Sequence, residues 1–105
     1  MKLNWGVPVA ALLTLAAAAP PATAQTMEER ARSWAASCAA CHGFEGRSVS
    51  EVPGLAGKSK GDLYKALMEF KSGATKTATV MHQHAKGYSD AQLEAIADFF
   101  SKQKR

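Results

Sequence analysis

Two cysteines and a histidine within five residues are the part of this sequence that points most directly to chemistry. Cys38-Ala39-Ala40-Cys41-His42 matches the C-x-x-C-H pattern by which a haem is attached covalently. Residues i and i+3 lie about one turn apart on a helix, so the two sulfurs can reach the two vinyl groups of one porphyrin. The sequence therefore predicts thioethers from Cys38 and Cys41, with His42 under the iron as its proximal ligand.

Three other uses of the two cysteines compete with haem attachment. A thioredoxin-like redox pair needs a βαβ setting, which this sequence lacks. A structural zinc site could combine Cys38 and Cys41 with His82 and His84, but the long separation does not match the usual zinc-finger spacings. A disulfide between cysteines three apart on a helix would be strained, and it leaves His42 unexplained. Covalent haem is the preferred interpretation.

An electron carrier also needs a second axial ligand, because an open iron site binds oxygen or other small molecules. Met68, Met81, His82 and His84 qualify by residue type. Met68 lies near the apolar stripe of a predicted helix, where methionine commonly fills space in a core. Met81 lies in a long loop that can fold over the haem face opposite His42, and it is the predicted distal ligand. His82 and His84 are the alternatives and are otherwise expected to be solvated loop residues.

A first helix is predicted to carry the two cysteines. It begins at a capping box, in which the side chains of Thr26 and Glu29 each accept a hydrogen bond from a free backbone N–H. Gly43 is its predicted end. Its apolar stripe has helical spacing and turns the Cys38 sulfur toward the core; the stripe consists of Ala31, Trp34, Ala35 and Cys38.

Two further helices are predicted, and the chain after Gln25 contains no convincing strand. The second helix begins near Ser59 and ends at Gly73, and the third begins at a capping box of Ser89 and Gln92. Their apolar positions are Leu63, Tyr64, Leu67 and Phe70 in the second helix and Leu93, Ile96, Ala97 and Phe100 in the third. The connecting segments, 43–58 and 74–88, are long enough to carry function. The predicted fold is all-α, with three main helices around one haem.

The first 24 residues are predicted to be a secretion signal peptide that is cleaved. Lys2 supplies a positive start, residues 7–19 are almost continuously apolar, and Ala22-Thr23-Ala24 matches the small-x-small cleavage pattern. The apolar stretch is shorter than the ~20 residues of a membrane-spanning helix, and Pro20-Pro21 follow it. The expected product is a periplasmic domain of residues 25–105 with no membrane span.

Size and charge limit what this domain can do. About 80 residues form one domain, near the size at which a hydrophobic core alone is only marginally stabilising, so a non-protein group is expected to complete the core. The chain of 105 residues carries a formal charge of +4, and removal of Lys2 leaves +3. Its basic residues are scattered rather than clustered, so no nucleic-acid partner is expected.

Nearly all of the predicted mature chain resembles the small class I bacterial cytochromes c. The matching stretches are Cys38 to Gly43, Pro53-Gly54-Leu55-Ala56-Gly57, Tyr64 through Phe70 to Gly73, Met81, Ser89 to Leu93, and Ala97-Asp98-Phe99-Phe100. The resemblance implies that the first and last helices cross and that Met81 is the distal ligand. It also implies that Pro53 lies near His42, with its carbonyl able to orient the ring.

Within that class, the chain is most similar to the cytochrome subunits of flavocytochrome c sulfide dehydrogenases. This resemblance implies a haem domain that accepts electrons from a separate FAD-containing flavoprotein and passes them to another cytochrome or an oxidase. Two positions depart from the pattern of that family. Ala74 and Thr75 follow Gly73 where an arginine is common, and Tyr88 stands where leucine is common.

The predicted function is transfer of single electrons rather than catalysis, since no spare acid–base or nucleophile group accompanies the motif. The alternative is a free-standing cytochrome that shuttles electrons between respiratory complexes; a haem-free metal-binding module is a third possibility. Six lysines could steer a shuttle to acidic partners, although a solvated surface is their simpler interpretation; they are Lys58, Lys60, Lys65, Lys71, Lys76 and Lys86. An exposed apolar patch beside the haem edge, including Met27 or Val52, would instead indicate a permanent partner.

Overall fold

The computed structural model describes residues 1–6, 8, 10 and 16–105. These residues form four helices, α1 (Met27–His42), α2 (Lys60–Ser72), α3 (Met81–Lys86) and α4 (Asp90–Ser101), and a 3-10 turn at Phe44–Gly46. The described part of the chain contains no strand, which confirms the all-α prediction. Residues 7, 9 and 11–15 of the predicted signal peptide lie outside the described residues. None of the described helices has the length and apolar character needed to cross a membrane.

The capping signals begin two helices where they were predicted. The Thr26 backbone N–H donates to the Glu29 carboxylate at 2.7 Å, and the Glu29 N–H donates to the Thr26 hydroxyl at 3.2 Å. Ser89 and Gln92 exchange the equivalent bonds at 2.9 and 3.2 Å at the start of α4. Each box satisfies backbone donors that have no partner inside the helix.

The ends of α2 also follow the sequence signals. The Ser59 hydroxyl accepts a hydrogen bond from the Asp62 N–H at 3.1 Å, so Ser59 is the N-terminal cap. Gly73 closes the helix in the left-handed conformation, with φ of 80°. A residue without a Cβ adopts that conformation at little cost.

Helix α3 is the element that the periodicity did not predict. It occupies six residues of the segment 74–88, which was expected to be a loop. Val80 precedes it and offers no side-chain cap, and six residues are too few to establish a helical repeat. The helix packs against α2, so tertiary contact stabilises a segment with weak local signals.

The hydrophobic core lies where α1, α2 and α4 meet. Helix α1 packs on α4 as the resemblance implied, and α2 packs on α4 from another side. The fully buried members are Ala31 and Ala35 of α1, Leu63 of α2, and Leu93, Ile96, Ala97, Phe99 and Phe100 of α4. Trp34, Cys38, Leu55, Tyr64, Leu67, Met68 and Tyr88 are partly buried and pack against this core. The predicted apolar stripes of α1 and α4 are therefore confirmed. In α4, Phe99 is a further buried residue that the predicted stripe did not include. In α2, Phe70 is half-buried and lies outside the core cluster.

Candidate haem-binding site

His42 is oriented by the backbone of the segment that follows it. Its Nδ1 lies 2.6 Å from the Pro53 carbonyl oxygen. A carbonyl can only accept, so Nδ1 carries the proton and donates. In the neutral ring with this tautomer, Nε2 carries no proton and can bind a metal, the arrangement typical of metal-bound histidines. This contact is the one that the resemblance implied for Pro53.

The turn after His42 brings Pro53 back to the ring. Gly43 has φ of 87°, and a Cβ at this position would overlap the Arg47 carbonyl. The carbonyl of Gly46, a buried glycine, accepts hydrogen bonds from Leu55 N–H at 2.8 Å and Ala56 N–H at 3.2 Å. These bonds close the segment 43–58 on itself. The two glycines therefore permit the fold that holds the Pro53 carbonyl beside His42.

The two cysteines lie on the last turns of α1 in different surroundings. Cys38 is half-buried against the core, and Cys41 is exposed. Burial raises the pKa of the Cys38 thiol, and the neighbouring Ser37 hydroxyl opposes part of that rise. Redox-active and metal-bound cysteines need a stabilised thiolate, whereas a buried setting favours an uncharged sulfur. The position of Cys38 fits a thioether to a covalently held haem.

The structure does not bring together the residues of the zinc alternative. No group of three or more histidine, cysteine, aspartate or glutamate side chains in the described part of the chain is placed to hold a metal ion. Cys38, Cys41, His82 and His84 therefore do not form a cluster.

Met81 begins α3 on the side of the helix that faces inward. Ala85, four residues later on the same face, is 1% exposed, while Met81 itself is half-buried. Met68 packs against the core, as its interpretation as a core filler predicted. Met81 therefore lies on the inward-facing side of α3, where it is available as a ligand, whereas Met68 is used in core packing.

The two histidines of α3 differ from each other. His84 is exposed, as expected. The expectation of a solvated loop residue is wrong for His82, which is half-buried on a helix and has a buried Nδ1 without a hydrogen-bond partner among the described residues. The cause is that the segment forms a helix that packs on α2 rather than an open loop.

Comparison with known proteins identifies the family. The model of the cytochrome c family matches residues 27–104. This chain belongs to the cytochrome c family. It is therefore an electron carrier that holds haem c covalently, not a catalytic enzyme, and the motif at residues 38–42 fits that cofactor. When bound, the haem iron accepts and releases one electron at a time.

Several relatives cover most of the cytochrome domain. The chain is 42% identical over 87 residues to the cytochrome subunit of sulfide dehydrogenase from Chlorobaculum tepidum, covering 83% of this chain and 78% of that protein. It is 40% identical over 67 residues to cytochrome c-553 from Helicobacter pylori, and this match covers 62% of this chain and 69% of that protein. A 41% match over 98 residues to the thiosulfate dehydrogenase electron acceptor from Thiomonas intermedia covers 91% of this chain but 42% of that protein.

The structure adds contacts around the site that sequence patterns did not reveal. The hydroxyls of Tyr88 and Ser37 are 2.7 Å apart, and the Lys71 ammonium donates to the Tyr88 carbonyl at 2.9 Å. Tyr88 and Ser37 are 51 positions apart, so no local pattern joins them. The signal in the sequence was the departure of Tyr88 from the pattern that the resemblance implied.

Proposed function

We propose that Cys38 and Cys41 form the two haem thioethers, that His42 is the proximal iron ligand and that Met81 is the distal one. The hydrogen bond from His42 Nδ1 to the Pro53 carbonyl carries the proximal assignment, because it leaves Nε2 free for the iron. The shared face of Met81 and the buried Ala85 supports the distal assignment. His82 is also half-buried, but it lies about 100° around the helix from Met81 and Ala85. His42 and Met81 thus hold the iron in place while its charge changes.

We further propose that residues 1–24 are removed on export and that residues 25–105 work in the periplasm. The charged start, the apolar stretch and Ala22-Thr23-Ala24 support this cleavage. Helix α1 and the family match both begin at residue 27, two positions after the proposed mature start. The amino-terminal mass of the mature protein tests the assignment.

The partner is proposed to be the FAD-containing flavoprotein of a sulfide dehydrogenase. The match of 42% identity to the cytochrome subunit of such an enzyme, over most of both chains, carries this proposal. The cytochrome would take single electrons from the flavoprotein and pass them to another cytochrome or an oxidase.

A diffusible shuttle is the second candidate, because the chain is also 40% identical to cytochrome c-553 from Helicobacter pylori, whose name designates no enzyme subunit. The structure weakens the lysine argument for that role. Of the six lysines, Lys60 pairs with Glu94 at 3.2 Å, Lys65 with Glu69 at 3.9 Å and Lys71 with Asp90 at 2.7 Å. Lys58, Lys76 and Lys86 make no ion pair among the described residues. Half of the set is therefore partly neutralised.

Co-purification at two salt concentrations separates the two candidates. The tagged cytochrome is isolated from its native host, the bound fraction is assayed for FAD, and sulfide is added to measure haem reduction. A dehydrogenase subunit retains the flavoprotein at high salt and is reduced by sulfide. A shuttle is recovered alone, and its electron-transfer rate falls steeply with ionic strength, because salt screens steering between exposed charges. Recovery without flavin and without sulfide-dependent reduction would contradict the sulfide proposal.

A further inference from the structure

We propose that Tyr88 is a positioning residue for the distal iron ligand, because its hydroxyl fastens the Met81 segment to the turn of α1 that carries Cys38. This inference rests on the proposed ligation of iron by Met81. Among the described residues, Tyr88 makes no hydrogen bond to His42 or Met81. It acts through the segment 74–88, of which it is the last residue.

The contact to α1 is a short chain of hydrogen bonds. The Ser37 hydroxyl donates to the Trp34 carbonyl at 3.0 Å. Its oxygen is then free to accept from the Tyr88 hydroxyl at 2.7 Å. The same Ser37 oxygen lies 4.0 Å from the Cys38 sulfur. Tyr88 therefore reaches the turn that holds one of the two proposed thioethers.

The backbone of Tyr88 is fixed from the other side by α2. Lys71 donates to the Tyr88 carbonyl at 2.9 Å and to the Asp90 carboxylate at 2.7 Å. The Lys71 side chain is only 28% exposed, so these bonds are partly shielded from water. At the opposite end of the segment, the Ala74 N–H donates to the Glu69 carbonyl at 2.9 Å. Met81 thus lies between two anchored ends, and Tyr88 is the anchor that joins the segment to α1.

The anchoring limits how easily Met81 can leave the iron. Detachment of Met81 requires the segment to move away from the haem face, and that motion strains or breaks the contact between Tyr88 and Ser37. Loss of one such hydrogen bond changes an equilibrium constant by about five-fold. Leucine at this position would keep the apolar packing but supply no hydroxyl.

Imidazole binding to the ferric holoprotein measures this opening, since imidazole reaches the iron only after the distal ligand has left. We expect Tyr88→Phe to raise the apparent affinity for imidazole about five-fold over the unaltered protein. Tyr64→Phe is the matched control, because Tyr64 is also half-buried against the core but makes no side-chain hydrogen bond among the described residues. This control should bind imidazole as the unaltered protein does.

A double-mutant cycle tests whether Tyr88 acts through Ser37. Ser37→Ala alone should raise the imidazole affinity, but by no more than Tyr88→Phe does, because the Tyr88 hydroxyl keeps the Trp34 carbonyl as a weaker acceptor at 3.4 Å. The double variant should bind imidazole no more tightly than Tyr88→Phe alone. Additive effects would show that the two hydroxyls act separately, and this would overturn the proposal. The denaturation midpoint of each ferric variant is measured in parallel. Equal gains in imidazole affinity for the Tyr64 and Tyr88 variants would indicate general loosening and would also overturn it.

Failure of this inference can be told apart from failure of the proposed ligation. If the long-wavelength absorption of methionine-bound ferric haem persists in Met81→Ala, the ligand assignment is wrong and the inference falls with it. If that absorption depends on Met81 but Tyr88→Phe binds imidazole like the unaltered protein, only the role of Tyr88 is wrong.

Discussion

Among single residues, Met81 has the largest expected effect on the redox chemistry. A thioether stabilises ferrous iron more than an imidazole does, so replacement of a methionine ligand lowers the reduction potential. We expect Met81→Ala to lose the weak long-wavelength absorption of the ferric protein and to have a lower potential in a redox titration. Met68→Ala is the control: Met68 packs on the core, so its loss should cost about 1–3 kcal/mol of stability and leave the absorption intact.

The opposite pattern would be equally informative. Absorption lost in Met68→Ala but kept in Met81→Ala would make Met68 the ligand. An unaltered protein without the band would direct attention to His82 or His84.

The sequence was most informative about residues whose chemistry imposes a local spacing. Covalent attachment requires the pattern at residues 38–42, so those positions could be recognised without a structure. The burial of His82 could not, because it depends on a helix that only tertiary contact stabilises. The contact between Tyr88 and Ser37 was equally hidden, since folding alone brings these two positions together.

Among the elements, the turn that ends α1 is the most constrained. We expect Gly43→Ala to lower the free energy of unfolding of the holoprotein by at least about 2 kcal/mol, because φ is 87° and a Cβ would overlap the Arg47 carbonyl. Gly61→Ala is the matched control. Gly61 lies in the first turn of α2 with no atom within 4 Å of an added Cβ, so alanine should stabilise the protein by up to about 1 kcal/mol. Equal stability of the two variants in denaturant titrations would show that the turn can relax.

Elements were predictable where a side chain marks their ends. Thr26, Ser59 and Ser89 cap helices that begin at the next residue, and their hydroxyls make the expected bonds. Helix α3 has no such mark, and its six residues carry too little periodicity. The sequence thus predicts the helices of the core better than the short helix that carries the proposed distal ligand.

For the molecule as a whole, the exposed apolar residues bear on how it meets a partner. The suggestion that Met27 lies beside the haem edge is wrong: Met27 begins α1, ~22 Å along the helix axis from His42, and lines a groove with Phe99. Val52 is half-buried. Phe44 is 70% exposed two residues after His42, and Val80 is 60% exposed directly before Met81. Phe44 and Val80 are close in the sequence to the two proposed iron ligands, and exposed apolar side chains suit a lasting interface more than a purely electrostatic encounter.

This placement predicts which surface contacts the flavoprotein. Phe44→Ser and Val80→Ser should each weaken binding roughly ten-fold, because an exposed apolar side chain buried in an interface contributes about 1–2 kcal/mol. Met27→Ser is the control, since Met27 is 59% exposed at the far end of α1. Binding is measured by titration of flavoprotein into each ferric cytochrome, with the absorption spectrum checked for an unchanged haem site. If the flavoprotein docks at the proposed iron ligands, the Met27→Ser variant should bind it as tightly as the unaltered protein does. If Met27→Ser alone weakens flavoprotein binding, the partner docks instead at the groove between α1 and α4.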